Sequence, residues 1–371
     1  MALAQRRAGN ETGPAKRSRR SLDQVGFDWI FMLLCSWLIG GIFLDGWAHN
    51  HGKVDQSFFT PYHGLLYAGY VAVASFLVIR LVRTHMQGVP WRHAIPAGYG
   101  ASVIGAAIFA VGAVGDLAWH TAFGIEKGIE GNISPSHLTL AIGGALIITG
   151  PLRALWQRTA PYARPGWASW FPTLLSLTAL FSLLTFFTQY AHPIVKSRAD
   201  LQITQILITL TPFQTATETD LSAKLGVTSV LMQAAITMGV ILLAVRRWQV
   251  PFGSFALFFG LNGLLMGVLA EDTPVLAVGL LSALIGLMID LLHLMLQPSA
   301  QRALAWRVFA GVAPVVNYLV YFAVLFVLKG HLGWSVHLWT GAIVEAGLVG
   351  LLLSYLLIPP QLGTRPPTTE A

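Results

Sequence analysis

Cysteine and charge are both scarce in this chain of 371 residues. The single cysteine, Cys35, excludes an intrachain disulfide and a metal site built from cysteine ligands. Charged residues make up 11% of the sequence, whereas soluble domains carry roughly 25%, so the composition excludes an ordinary soluble protein. The sequence has no P-loop, G-x-S-x-G elbow or Rossmann glycine fingerprint, which removes the commonest nucleotide-binding and serine-hydrolase interpretations.

Apolar residues are abundant instead, at 55% of the chain. They are grouped into ten segments, each near the roughly 20 residues that a helix needs to cross a bilayer. Since helices are the default way to span a membrane, the sequence predicts an all-α integral membrane protein with about ten transmembrane helices. The predicted helices are 26–45, 62–82, 96–120, 135–155, 168–191, 226–246, 251–270, 274–296, 303–328 and 334–358.

The chain divides into two membrane regions between two tails. Residues 1–25 are predicted to form a basic cytoplasmic tail, and residues 361–371 a second cytoplasmic tail. A four-helix region at 26–160 contains the candidate metal sites, and a six-helix region at 161–360 follows it. The second region includes a long outer loop at 193–225, and loops of this length are often functional. We therefore expect this loop to act as a lid or as an interfacial segment.

The distribution of lysine and arginine predicts the orientation. With the N-terminus placed in the cytoplasm, 17 of the 23 basic residues lie on the inner side. Such a bias favours an N-in, C-in multi-pass protein of the cell (plasma) membrane. The formal net charge of +7 is then a result of topology, and no nucleic-acid partner is expected. The six outer residues are Lys53, Lys127, Lys196, Arg198, Lys224 and Lys329.

A pattern of aspartate and histidine occurs twice in the first four predicted helices, which indicates a tandem two-helix repeat. The pattern is D-x-x-x-H, a loop, and then a hydroxyl residue, Pro, any residue and His. The first copy comprises DGWAH at 45–49 and TPYH at 60–63, and the second comprises DLAWH at 116–120 and SPSH at 134–137. Under the predicted topology both copies lie on the extracytoplasmic face.

Each copy contains the donors of an open metal site. Residues i and i+4 share a helix face, so the aspartate and first histidine of each copy converge. Thr60 and Ser134 are favourable N-cap residues, which places His63 and His137 in the first turn of the next helix. One carboxylate and two imidazoles suit iron, zinc or copper. The predicted ligands are Asp45, His49 and His63, and Asp116, His120 and His137; His192, Glu126 and His51 are possible additional ligands.

The segments WH at 119–120, SPSH at 134–137 and VDQSFFTPYH at 54–63 resemble the C subunit of the copper membrane monooxygenases, which oxidise methane or ammonia. The resemblance covers about 110 residues, from 45 to 155. It implies that Asp116, His120 and His137 are copper ligands. It also implies an earlier site at the first copy, where Asp45 replaces the family's asparagine. The second loop is longer than the family's, and six further helices follow.

The resemblance implies copper-dependent oxidation of a small apolar substrate that arrives through the lipid bilayer. It also implies additional membrane subunits, or a homo-oligomer, as partners. The residues alone leave two alternatives open. The first is a zinc hydrolase acting on lipid, with Asp or Glu126 as base. The second is a non-enzymatic metal or proton carrier, or a scaffold with structural histidines, for which Glu345, Asn262 and Asn317 are the further polar groups within the helices.

Overall fold

The structure is a computed structural model, and it describes residues 14–53, 58–126, 128–197, 199, 212–271 and 273–360. The described residues form helices joined by short connections, with no β-strand among them. The helices are α1 (Pro14–Asn50), α2 (Pro61–Met86), α3 (Gly100–Phe123), α4 (Glu130–Ile133), α5 (Pro135–Ile148), α6 (Gly150–Arg158), α7 (Trp167–Phe187), α8 (Pro212–Arg247), α9 (Ser254–Leu269), α10 (Val275–Leu296), α11 (Ala303–Lys329) and α12 (Val336–Leu357).

Within the described part of the chain, nine segments are long and apolar enough to cross a membrane, where the sequence predicted about ten. The difference is α9, which has 16 residues and therefore spans only about 24 Å. It begins after Gly253, which adopts φ +89°, and Pro274 precedes the next helix. The prediction of an all-helical, multi-pass membrane protein is otherwise confirmed.

Other helix ends differ from the predictions for local reasons. Helix α1 begins at Pro14, within the predicted tail, and α7 ends at Phe187, where a short 3-10 turn follows. The predicted span 135–155 is interrupted at Thr149 because Pro151 has no N–H to continue the α5 ladder. Residues 1–13, part of the proposed lid at 193–225 (198 and 200–211) and the tail 361–371 lie outside the described residues.

Two helical hairpins, α1–α2 and α3–α5, hold the candidate sites. Glycines allow the backbones of each hairpin to approach closely, as small residues commonly do in membrane helices. A Cβ added to Gly41 would lie 2.6 Å from the Cα of Leu66, and one added to Gly143 would lie 2.6 Å from the backbone nitrogen of Phe109. Both hairpins pack against α7, which brings together the ends that carry the candidate sites.

Large apolar side chains on the surface indicate which faces meet lipid. Leu276 and Leu280 on α10 are 75% and 72% exposed, and Val111 and Val114 on α3 are similarly open. Contiguous apolar surface of this extent marks a membrane or protein interface. Because these residues lie on spanning helices, we assign these faces to the bilayer.

Candidate metal centre

N-capping places two histidines at the start of their helices. The Thr60 hydroxyl accepts from the backbone N–H of His63 at 3.1 Å, and Pro61 fills the first helical position. The Ser134 hydroxyl accepts from the backbone N–H of His137 at 3.5 Å in the same manner. Proline at this position loses no helical hydrogen bond, so both caps form as predicted.

The first triad joins the end of α1 to the start of α2. Oδ2 of Asp45 lies 3.7 Å from Nε2 of His49 and 3.4 Å from Nε2 of His63. One ligand atom from each of the three residues falls within 4.8 Å of the others. The structure therefore brings together all three residues predicted for the first site.

The second triad has the same construction at the end of α3 and the start of α5. Oδ1 of Asp116 lies 3.4 Å from Nε2 of His120 and 3.3 Å from Nε2 of His137. Ser136 donates its hydroxyl to the same carboxylate oxygen at 3.0 Å. Asp116 is 1% exposed, so this carboxylate lies fully inside the protein.

In three of the triad histidines, Nε2 faces the aspartate and Nδ1 contacts a different group. Nδ1 of His63 donates to the carbonyl of Phe58 at 2.6 Å. Nδ1 of His137 lies 2.7 Å from the Ser134 hydroxyl, and Nδ1 of His120 lies 3.4 Å from the carbonyl oxygen of Gly124. Anchoring one ring nitrogen in this way fixes the tautomer and leaves the other nitrogen free to bind a metal.

The distances between the histidine Nε2 atoms and the aspartate oxygens fit two ligands of one metal ion better than they fit hydrogen bonds. The four Nε2–oxygen separations run from 3.3 to 3.7 Å, beyond the usual 2.7–3.2 Å of N–H···O bonds. Two donors placed tetrahedrally at 2.0–2.1 Å from one ion are about 3.3–3.4 Å apart. Buried Nε2 of His120 and Oδ1 of Asp45 have no hydrogen-bond partner. The donors present therefore fit a transition-metal ion.

No protein-family model, no curated protein and no solved structure matches this chain. The arrangement of the described residues is therefore the basis for assigning a function.

Five of the six triad residues, all except His120, line one cavity of about 830 Å³, which the sequence did not predict. The ring centroids of His63 and His120, one from each triad, are 6.4 Å apart. The apolar lining residues come from α1, α2, α3, α5 and α7 and from the loop after α3. The polar lining residues are Asp45, His49, Asn50, His63, Tyr67, Asp116, Glu126, Asn132, His137 and Gln189.

Tyr67 links the two hairpins and was not anticipated. It lies one turn after His63 on α2, and it donates its hydroxyl to Oδ2 of Asp116 at 3.3 Å. The sequence does indicate that Tyr67 lies on the same helix face as the predicted ligand His63, because it follows His63 by four residues. The partner on the other hairpin could not be read from that spacing.

Glu126 adds a third carboxylate to the cavity. Its side chain is 9% exposed, and neither carboxylate oxygen has a hydrogen-bond partner. Gly124 ends α3 with φ +82°, a conformation that favours glycine, and the chain then returns Glu126 towards His120. Of the three additional residues considered from sequence, Glu126 is the one placed beside a triad.

Other buried carboxylates in this protein have conventional partners. Asp28 accepts from the Tyr99 hydroxyl at 2.6 Å and pairs with Arg158. Asp290 accepts from the backbone N–H groups of Phe255 and Ala256 at the start of α9. No lysine or arginine lies among the described lining residues of the cavity, so the cationic groups that can pair with its three carboxylates are histidines.

His51 and His192 are not brought into either triad. Nδ1 of His51 lies 2.9 Å from the carbonyl of Trp47, and its ring stacks on that indole. His192 is 7% exposed and accepts from the backbone N–H of Ile194 at 3.3 Å. Among the described residues, the two groups that could hold a metal ion are the Asp45 and Asp116 triads. His51 and His192 have local structural roles instead.

Burial lowers the pKa of His192 to about 3, which predicts a pH dependence of stability. The folded protein keeps this ring neutral, whereas the unfolded chain takes up a proton below about pH 6.5. The contribution of His192 to the free energy of unfolding is fully present above pH 6.5. It is lost as the pH falls towards 3, at about 1.4 kcal/mol per unit.

Thermal melts of wild type and His192→Gln between pH 7.5 and 4.5 check this. Every other histidine is present in both proteins, so the difference between the two curves isolates His192. We expect the difference to change with pH below 6.5; parallel curves would contradict the assignment.

Proposed function

We propose that this protein is a membrane metalloprotein that holds two transition-metal ions, one at each triad. The single observation that carries the proposal is the spacing of the facing donor atoms. Those separations of 3.3–3.7 Å are long for hydrogen bonds and suit neighbouring ligands of one ion. The three carboxylates of the cavity, whose described lining includes no lysine or arginine, support the same conclusion, since divalent cations would balance their charge.

The proposed chemistry is copper-dependent oxidation of a small apolar substrate. Two imidazoles and a carboxylate are a donor set that copper accepts, and the segments around both triads resemble copper membrane monooxygenases. Copper would supply the redox chemistry when bound. The chain's own part is to hold the donors and to enclose the substrate, because Phe109, Leu140 and Leu183 make the inner wall of the cavity apolar.

The proposal includes the orientation drawn from the sequence. The basic residues favour an N-in, C-in topology in the plasma membrane, which puts both triads on the extracytoplasmic face. The recurrence of the Asp-x-x-x-His pattern and of the two N-caps supports a tandem repeat. Additional membrane subunits or a second copy of the chain remain proposed partners.

A zinc hydrolase acting on lipid is the second candidate, and Glu126 favours it. A buried carboxylate without a hydrogen-bond partner lies beside His120, where it is positioned to accept a proton from an attacking water. Zinc would supply the activated water when bound. The carrier alternative has less support, because Asn262 is engaged in hydrogen bonds to Ser182 and Thr185.

Metal analysis of the protein purified in detergent tests the proposal. We expect wild type to contain about two ions per chain, and His49→Ala and His120→Ala to lose about one each. His51→Ala is the matched control, since its ring stacks on Trp47 outside both triads, and it should retain both ions. Copper supports the oxidative reaction and zinc the hydrolytic one. Wild-type protein that binds neither metal would overturn both.

A further inference from the structure

The two triads share one construction but differ in how their aspartates are held. Asp116 uses Oδ1 to face both of its histidines, and its other oxygen, Oδ2, accepts from the Tyr67 hydroxyl. Asp45 uses Oδ2 to face both of its histidines, and its other oxygen, Oδ1, is buried without a hydrogen-bond partner. The free oxygen therefore exists at one triad only.

The sequence explains this difference. Tyr67 follows His63 by four residues on α2 and reaches across to the aspartate of the other hairpin. The residue that follows His137 by four on α5 is Ala141, which also lines the cavity. Alanine has no side-chain donor, so the second hairpin offers no tyrosine in return to Asp45.

The surroundings of the two aspartates also differ, and Asp116 is again the more tightly held. The aspartate and the first histidine are less exposed in the second triad, at 1% and 4% for Asp116 and His120 against 13% and 27% for Asp45 and His49. The last histidines have the reverse order, at 20% for His137 and 7% for His63. Ser136 adds a second hydroxyl donor to Asp116. Asp116 is thus enclosed and held from outside by two hydroxyl groups, while Asp45 is more exposed and keeps an uncommitted carboxylate oxygen.

We propose that Tyr67 makes the two metal sites unequal: the Asp116 site retains its ion, and the Asp45 site exchanges its ion and binds the reacting ligand. This inference rests on the proposed function. A hydrogen bond to a ligating carboxylate fixes its direction and limits its binding mode. Without that bond, Asp45 can bind an ion through one oxygen or two, or can accept a hydrogen bond from a ligand that enters the cavity.

Tyr67 is on this account a positioning residue for Asp116. Phenylalanine keeps its ring against the same neighbours and removes only the hydroxyl. Loss of an outer hydrogen-bond partner of a metal ligand typically costs 10–100-fold in metal affinity. We expect a loss in this range at the Asp116 site and less than about twofold at the Asp45 site.

The experiment measures Cu(II) binding in two backgrounds that each keep one site. His49→Ala leaves the Asp116 site, and His137→Ala leaves the Asp45 site. Adding Tyr67→Phe to the first background should raise the Kd for Cu(II) at least tenfold and shift its electron paramagnetic resonance spectrum. Adding Tyr67→Phe to the His137→Ala background should leave both the Kd and the spectrum unchanged.

Tyr70→Phe is the matched control. Its hydroxyl donates to the carbonyl of Ala106 at 2.7 Å, so it links the same two helices, α2 and α3, without touching either triad. We expect no change in Kd or spectrum from this variant. A purely structural role for Tyr67 would make the two substitutions equivalent, and that result would overturn the proposal.

Removal of copper from the wild type gives a second readout. A chelator should strip one ion rapidly and the other at least tenfold more slowly, and Tyr67→Phe should bring the two rates together. Two wild-type ions that leave at one rate would overturn the inequality while leaving the proposed function intact. Wild type that takes up no copper or zinc would instead overturn the proposed function itself.

Discussion

Removal of the metal from the loaded protein should lower its free energy of unfolding by about 5 kcal/mol. A ligand at one hundred times its Kd stabilises the folded state by about 2.7 kcal/mol, and two sites contribute twice that amount. The structure supplies the physical reason, because Asp45, Asp116 and Glu126 face one cavity whose described lining includes no lysine or arginine. Buried charges are costly unless they are paired or bind a metal ion, so removal of the ions leaves these carboxylates less well compensated.

Thermal melts of copper-loaded and chelated protein measure this effect, followed by the loss of helical circular dichroism. The double variant Asp45→Asn/Asp116→Asn is the control, because it keeps the shape of both side chains and lacks the charged ligands. Its melting temperature should be the same with and without copper. A wild type that melts equally in both states would show that the triads do not hold metal in the folded protein.

Gly143→Leu should destabilise the protein by about 3 kcal/mol or more and empty the Asp116 site. A Cβ at Gly143 would lie 2.6 Å from the backbone nitrogen of Phe109 and 2.9 Å from the carbonyl oxygen of Gly105. Overpacking usually costs 1–3 kcal/mol, and here the obstacle is backbone, which cannot rotate away. Helix α3 must therefore move from α5, which separates Asp116 from His137.

Gly115→Leu is the matched control on α3. A Cβ at Gly115 meets nothing within 4 Å, and leucine is a better helix former than glycine. This variant should melt at or above the wild-type temperature and keep two ions. If both leucine variants behave alike, the close contact at Gly143 does not determine the position of α3.

Local chemistry made each triad predictable from the sequence. The i, i+4 spacing of Asp45 and His49 predicts one helix face, and Thr60 followed by proline predicts that His63 begins the next helix. The structure confirms these placements, and the same rules hold for the second copy. The resemblance to copper monooxygenases and the identity of the metal stay predictions.

Long-range packing determines what the sequence did not predict. The shared cavity depends on how both hairpins settle against α7, and no spacing within either hairpin reports that distance. The bond from Tyr67 to Asp116 crosses from one hairpin to the other for the same reason. The predicted length of α9 was too great, because apolar composition does not reveal that Gly253 adopts a positive φ immediately before the helix.

The containment of each triad within a single hairpin bears on how the protein is made. The Asp45 donors lie close together in the chain, so this site can assemble as soon as α1 and α2 have inserted. Contacts between residues near in sequence form early because little chain entropy opposes them. The hydroxyl of Tyr67 meets Asp116 only after the second hairpin has docked. If the triads bind metal as proposed, the first hairpin would capture its ion before the second hairpin closes around the cavity.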